Sequence, residues 1–497
     1  MMMFNESFCF TRAALRRLML MLTLIATCLA LSACMVGPDY VRPPIDVGTS
    51  FKESPGWLPA NPMTEPTDEQ WWTVYDDQTL TELMVRATDS NFSIIQAEAQ
   101  YRQALALVDS ATSGLFPTLG LNASVNRAGA TATGQGGRTV STAGSTFGAT
   151  ANASWEIDLW GGIRRSIEAS QASMQASAAS LAGVRLSTQT TLALLYVQVR
   201  VLDGQARLLA DTVSAYERSL RLTQNRYTEG VARRGDVALA TAQLETARAQ
   251  MIDLVWRRGQ LENAIAVLLG QTPASFSLPR TAFQLQLPAI PVGVPSTLLE
   301  RRPDVAAAER RTAAANAQIG VATSAWFPDL TISGNAGYRA AQFSQWFTAP
   351  AQVWAIGPAL AQVLFDGGLR RAQVAQARAA FDAQAAAYRL TVLRALQEVE
   401  DAMLQLRVLA QEQVVQSRAV DASKDALMLA RNQYAEGLVD YLTVAVLETS
   451  ALNNERQQIT LMGERLAASV RLIAALGGGW SVSQLPIPGY PVNREKP

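Results

Sequence analysis

Gly161-Gly162-Ile163-Arg164-Arg165 opens a stretch that runs to Arg226 without a proline, and 206 residues later Gly367-Gly368-Leu369-Arg370-Arg371 opens another of the same character. Two further landmarks keep the order and nearly the spacing. Phe116-Pro117 returns 211 residues on as Phe327-Pro328, and Tyr227-Thr228-Glu229-Gly230 returns 207 residues on as Tyr434-Ala435-Glu436-Gly437. One structural unit has been duplicated. Its period is too long for a solenoid repeat, which points to a tube assembled from copies rather than to a globular active site.

Both stretches are rich in Ala, Gln, Ser and Arg. At the standard rise each predicts a helix on the order of 100 Å long, which needs a partner along its whole length. Shorter helices are expected on either side, over 80–113 and 237–269 in the first half and over 303–324 and 443–476 in the second. Laid end to end, a flanking pair approaches the length of its long helix, so long packs antiparallel against short plus short. Alanines such as Ala375, Ala379, Ala383 and Ala386 let helix backbones approach closely. Alanine is also simply a good helix former.

Between flanking and long helices the period changes to two. Phe147, Ala149, Ala151, Ala153, Trp155 and Ile157 alternate with Gly148, Thr150, Asn152, Ser154, Glu156 and Asp158; before them Leu119, Leu121, Ala123 and Val125 alternate with Gly120, Asn122, Ser124 and Asn126. The Gly/Thr/Ser-rich stretch 128–144 is expected to be the loop between these strands. The second half offers Leu330, Ile332, Ala336 and Tyr338 in one strand and a poorer alternation over 353–363, containing Pro358. Ten-residue alternation without a long apolar run is the signature of a transmembrane β-barrel, lipid outside and water within. Four strands cannot close a barrel, so several chains must share one.

Arg12, Arg16 and Arg17 precede an apolar run from Leu18 that closes in Leu31-Ser32-Ala33-Cys34. This reads as a bacterial lipoprotein signal over 1–33 with Cys34 acylated; ordinary cleavage near Ala33 is the alternative. Cys9 and Cys28 lie in that leader, so the mature chain has no disulfide. There is no histidine, and 42 basic residues balance 42 acidic ones. The commonest general base and metal ligand are therefore missing, and no global field attracts nucleic acid. Neither a phosphate-binding glycine loop nor a zinc-type cysteine pair is present. Nothing in the spacing supports an enzyme, a cofactor or a metal.

Several segments together resemble the outer membrane factor family of TolC-like channels, of the lipoprotein type that serves resistance-nodulation-division efflux and is often called NodT-like. They are Val36-Gly37-Pro38-Asp39-Tyr40, Trp71-Trp72, Leu299-Glu300-Arg301-Arg302-Pro303-Asp304, Ala315-Asn316-Ala317-Gln318-Ile319-Gly320 and Phe365-Asp366-Gly367-Gly368. The resemblance runs from Cys34 to about Leu476. It implies a mainly α fold with a transmembrane β portion: a homotrimer sharing a twelve-stranded barrel in the outer membrane, with helical hairpins forming a periplasmic α-barrel. It also implies a passive exit duct for an inner-membrane pump and a periplasmic adaptor, with lipid and protein but no nucleic acid as partners.

In the family the two turns, here Tyr227 to Gly230 and Tyr434 to Gly437, form the periplasmic tip. Asp236 and Tyr434 match positions that hold the closed entrance by hydrogen bonding, and Leu442 matches an apolar constriction. Val446 stands where a pore-facing aspartate is usual, which argues against a charged selectivity ring. Comparing the turns with each other, Arg233 falls on Asp440, so the pseudo-equivalent hairpins carry opposite charges and are expected to alternate in sign around a closed tip.

The expected organisation is a signal over 1–33, a lipidated extended segment over 34–79, repeats over 80–294 and 295–476, and a tail over 477–497. A type I protein-secretion channel is the alternative function; a periplasmic lipoprotein enzyme or binding protein is the alternative of another class.

Overall fold

The computed structural model describes residues 35–53, 70–133, 139–281, 287–288, 290 and 298–487. Cys34, expected to carry the lipid, lies outside the described residues. The elements in chain order are α1 (Gln78–Ser90), α2 (Phe92–Ser113), β1 (Thr118–Thr133), β2 (Thr139–Ile157), α3 (Gly162–Thr228), α4 (Arg234–Leu268), α5 (Leu298–Arg301), α6 (Pro303–Ser324), β3 (Asp329–Ala340), β4 (Gln352–Ala361), α7 (Leu369–Glu436) and α8 (Tyr441–Ala475). The duplication holds element by element. Helices α2 and α6 have 22 residues each, α4 and α8 have 35 each, and α3 and α7 have 67 and 68.

The first compact unit comprises the described residues within 35–43, 102–176 and 309–387. Its sheet runs in the order β1-β2-β3-β4, antiparallel throughout. Strands place successive side chains on opposite faces, so ladder partners share a face. Leu121, Ala151, Ala336 and Trp354 line up across the four strands on one side; Asn122, Thr150, Gly337 and Val353 line up on the other. The first side leaves Leu119, Leu121, Val125, Trp354, Ile356 and Leu360 exposed. Near its far end Phe147 meets Phe343 and Trp346, and Trp346 stacks on Phe347.

Two expectations are corrected. The loop expected over 128–144 is mostly ladder, because pairing continues from Ala128↔Gly144 to Thr133↔Thr139. Backbone hydrogen bonds need no apolar side chains, so a run rich in Gly, Thr and Ser can pair as an apolar one does. The single helix expected over 80–113 is broken at Asn91, whose backbone is extended. Its Oδ1 accepts from the Ser93 and Ile94 amides at 2.9 and 3.2 Å, an N-cap for α2, while its Nδ2 donates to the Leu268 carbonyl at 2.8 Å.

In the same unit, residues 35–42 lie in a built track. Arg165, 2 % exposed, donates to the Val36 and Gly37 carbonyls and pairs with Asp39 at 2.8 Å. Asn316 Nδ2 donates to the Pro38 carbonyl at 2.8 Å. Gly161 and Gly320 are required by close approach: a Cβ there would come within 2.7 Å of Met35 and of Arg165 respectively. Gly161 also has φ +79°, where other residues are strained.

The second unit comprises the described residues within 44–101, 177–308 and 388–487. Its largest core gathers Trp71, Trp72, Leu83, Met84, Leu192, Tyr196, Ile265 and Leu466. A buried ionic cluster holds the chain that follows α4. Arg258 pairs with Asp203 and Glu262 at 2.7 Å each and donates to the Leu278 carbonyl, while Arg200 bonds Asp203 and the Pro279 carbonyl. Arg200 Nε apart, these charges find partners in one another and in main-chain groups, as buried charges must. Among the described residues, no helix is long and apolar enough to cross a membrane.

Candidate functional site at the helix turns

The α3–α4 and α7–α8 turns share one backbone solution. At the first, Gly230 has φ +75°, its amide donates to Tyr227 O at 3.0 Å, and the Val231 amide donates to Arg226 O at 2.8 Å. At the second, Gly437 has φ +82°, its amide donates to Tyr434 O at 3.0 Å, and the Leu438 amide donates to Gln433 O at 2.9 Å. Each is a Schellman close, in which glycine takes the left-handed position and the last carbonyls find donors.

The returning helices are capped differently. At the start of α4, Asp236 Oδ2 accepts from the Arg233 amide at 3.0 Å. Asp236 thus spends its carboxylate on its own turn. At the start of α8, Asp440 Oδ1 accepts from the Thr443 hydroxyl at 2.8 Å and the Thr443 amide at 3.1 Å. Those two bonds hold the Asp440 carboxyl below its usual range, and the Arg233 guanidinium adds to the effect. Arg233 and Asp440, paired in the sequence comparison, therefore already feel each other within one chain.

Tyr227 and Tyr434 correspond in sequence but not in environment. Tyr227 is exposed, whereas Tyr434 is buried against Tyr441, with ring centroids 5.6 Å apart. The Tyr434 hydroxyl lies 3.3 Å from Thr223 Oγ1, and its carbonyl accepts from Arg226 Nη1 at 2.6 Å. The Arg226 guanidinium also sits 4.8 Å from the Tyr434 ring centre. Leu442 and Val446, one helical turn apart on α8, are both exposed.

Sequence reasoning missed a deeper layer. Glu448 is 2 % exposed; its Oε1 accepts from Arg431 at 2.9 Å within the second hairpin and from Ser219 at 3.1 Å in the first. Tyr441 donates to Gln243 Oε1 at 3.0 Å, again joining the hairpins. Burial pushes the Tyr216 hydroxyl up to about 12, and the Glu448 charge reinforces this. No signal marks Glu448 in the sequence, where it reads as one more helix-surface carboxylate. The arrangement can hold two hairpins together. Among the described residues, no group of three or more acidic, histidine or cysteine side chains is placed to hold a metal.

A family profile described as outer membrane efflux protein matches residues 83–271 and 294–478. The chain is 31 % identical over 457 residues to the outer membrane protein OprJ of Pseudomonas aeruginosa, covering 91 % of this chain and 94 % of that protein. It is 29 % identical over 475 residues to the toluene efflux pump outer membrane protein TtgF of Pseudomonas putida, covering 93 % and 98 %. Among solved structures, the outer-membrane channel OprN superposes with a TM-score of 0.83 at 31 % identity, over 90 % of this chain and all of that one.

Proposed function

Because the chain belongs to the outer membrane efflux protein family, we propose that it works as the passive exit duct of a tripartite pump. In this reading it is a homotrimer anchored through acylated Cys34, with its strands in one twelve-stranded barrel. Small toxic compounds reach it from a resistance-nodulation-division transporter through a periplasmic adaptor. It carries out no chemical step and uses no cofactor. The Tyr227–Gly230 and Tyr434–Gly437 turns form the periplasmic tip that meets the adaptor, and Arg233, Asp236, Tyr434, Asp440 and Leu442 form its gate. With Val446 exposed beside Leu442, the constriction is lined by apolar groups rather than by a carboxylate ring.

The observation that carries this reading is the sheet. One face offers a row of exposed apolar residues such as Leu121 and Trp354, the other is mostly polar over β1 to β3 and lined by small residues and Val353 on β4, and among the described residues neither edge is paired. An apolar row of this kind suits lipid, and a bilayer tolerates strands only in a closed barrel.

The test expresses the full chain in a bacterium deprived of its own efflux channels, with a pump and adaptor from the same genome. Dye accumulation should fall, and the protein should fractionate with the outer membrane, trimeric and labelled by palmitate. Cys34→Ser should lose the label and keep the trimer, since barrel closure satisfies the strand edges independently of the lipid. Recovery as a soluble monomer, or an intact outer membrane trimer that leaves dye accumulation unchanged, overturns the reading.

A further inference from the structure

The buried ionic cluster around Asp203 forms part of the wall of a cavity of about 610 Å³. Small-molecule sites run from roughly 300 to 1,000 Å³. All of the lining belongs to the second compact unit. Residues three or four apart in a helix are neighbours, so Asp203, Arg207 and Ala210 come from one face of α3 and Met251, Leu254 and Arg258 from one face of α4. Helix α8 contributes Ile459. Arg280 follows directly on Leu278 and Pro279, whose carbonyls are held by Arg258 and Arg200, so the ionic cluster fixes where Arg280 stands.

Three arginines and one carboxylate line the cavity, and the carboxylate is occupied. Asp203 Oδ1 accepts from Arg258 at 2.7 Å, and its Oδ2 accepts from Arg200 at 3.1 Å. Arg258 is occupied too, by Asp203, Glu262 and the Leu278 carbonyl. Arg207 and Arg280 are exposed and, among the described residues, have neither an ion-pair nor a hydrogen-bond partner. The cavity therefore carries unpaired positive charge beside the apolar side chains of Leu202, Leu254, Val255 and Ile459. A long hairpin does not need those charges in order to fold. At the 207-residue shift that relates the two turns, Asp203 falls on Ala410 and Arg207 on Val414, so the second hairpin is built without them.

We propose that this cavity binds a small amphipathic anion, in which a carboxylate, sulfonate or phosphate group is held by Arg207 and Arg280 and an apolar body lies against Leu254 and Ile459. An inorganic anion would leave the apolar wall wet. A neutral apolar molecule would strip water from two guanidinium groups and give nothing in return, which is costly. A cation would meet three arginines and no free carboxylate. An organic anion satisfies both halves of the lining, and a guanidinium is well suited to carboxylate, sulfonate or phosphate oxygens because its donors lie in one planar fork. The site lies within one unit of a single chain and does not depend on the exit-duct reading.

The test is calorimetric titration of the full chain, purified from outer membranes into lipid nanodiscs, with naphthalene-2-sulfonate as the probe. Binding should saturate at one site per chain. Naphthalene-2-sulfonamide, which keeps the apolar body without the charge, and inorganic sulfate, which keeps the charge without the body, should each bind more weakly by on the order of tenfold or more. Arg207→Gln with Arg280→Gln should weaken the sulfonate by a similar factor, and Arg207→Lys with Arg280→Lys should retain most of the affinity. Ala210→Trp, which keeps every charge and fills the cavity, should abolish binding. No saturable binding by the unsubstituted chain overturns the proposal, as does undiminished binding by the glutamine pair or by Ala210→Trp. Sulfate binding as tightly as the naphthalene sulfonate overturns the amphipathic class, and the sulfonamide doing so overturns the anionic one.

Discussion

Arg226 near the end of α3 donates through Nη1 to the main-chain carbonyl of Tyr434 near the end of α7, at 2.6 Å, and lays its guanidinium over the same tyrosine's ring. One side chain of the first hairpin thereby grips both the backbone and the ring of the second. The duplication offers no reciprocal grip, because the residue 207 positions after Arg226 is Gln433. The tie between the turns runs in one direction.

Arg226→Ala is expected to loosen the second turn and raise single-channel conductance in planar bilayers severalfold, with trimers intact. A charge-assisted hydrogen bond contributes about 1.5–3 kcal/mol, and a partly exposed cation–π contact about 0.5–1 kcal/mol. Arg226→Lys should fall between, since an ammonium keeps the charge but not the planar fork. Unchanged conductance for Arg226→Ala would remove this contact from the gate.

Ala151 shares a face with Leu121 and Ala336, and Asn152 shares the opposite one with Gly120 and Asn335. Ala151→Arg is expected to cost up to roughly 2–4 kcal/mol per chain near the bilayer midplane and to deplete outer membrane trimer. Asn152→Arg should leave trimer yield near normal. Equal loss from both substitutions would show that the faces are reversed.

Glu309 in α6 accepts from the Tyr40 hydroxyl at 2.7 Å and from Arg310, with Arg42 at 3.7 Å. Burial opposes its ionisation, yet the bonds from Arg310 and Tyr40 prevail and hold its carboxyl below the usual range. A depressed folded value means that the ionised pair stabilises fully above the unfolded value of about 4.3 and is lost as pH falls through the lower folded value. The segment around Tyr40 should therefore become protease-sensitive only below about pH 4. Glu309→Gln should be sensitive already at neutral pH. Equal resistance of the two at pH 7 would show that packing alone holds the segment.

Much of this was legible in the chain. Two proline-free stretches announced α3 and α7, and strict alternation announced β1 and β2. What escaped depended on residues distant in sequence. Asn91 breaks a helix because the Leu268 carbonyl, 177 residues away, takes its amide. The ends of β1 and β2 were hidden because the Ser, Thr and Gly that pair there are also the residues of loops. Arg226 and Glu448 look like any solvated charges on a helix, and only the neighbouring hairpin makes them otherwise. Asp236 was found by likeness to the family and Asp440 by comparing the two turns, yet the structure gives each a local cap that neither route foretold.

Arg233 and Asp440 occupy corresponding places on the two turns and differ in sign, and the Arg233 charge favours ionised Asp440 within a single chain. In a closed ring of alternating hairpins each positive turn would stand between two negative ones. Exposed pairs contribute little each. The same bias repeated by symmetry still shifts a two-state gate, since the contributions act on one equilibrium. Arg233→Asp should therefore raise conductance in planar bilayers by setting like charges side by side, and should do so most strongly at low salt, where screening is weakest. Adding Asp440→Arg restores alternation with the signs exchanged and should bring conductance back down, even though the Thr443 cap on Asp440 is lost. Asp440→Arg alone should open the channel as well, and Asp440→Asn, which keeps an oxygen for Thr443, should open it less. Trimer yield should stay constant across the series. If Arg233→Asp leaves conductance unchanged at every salt concentration, charge plays no part, and Arg226, Tyr434 and Glu448 hold the tip through hydrogen bonds and packing.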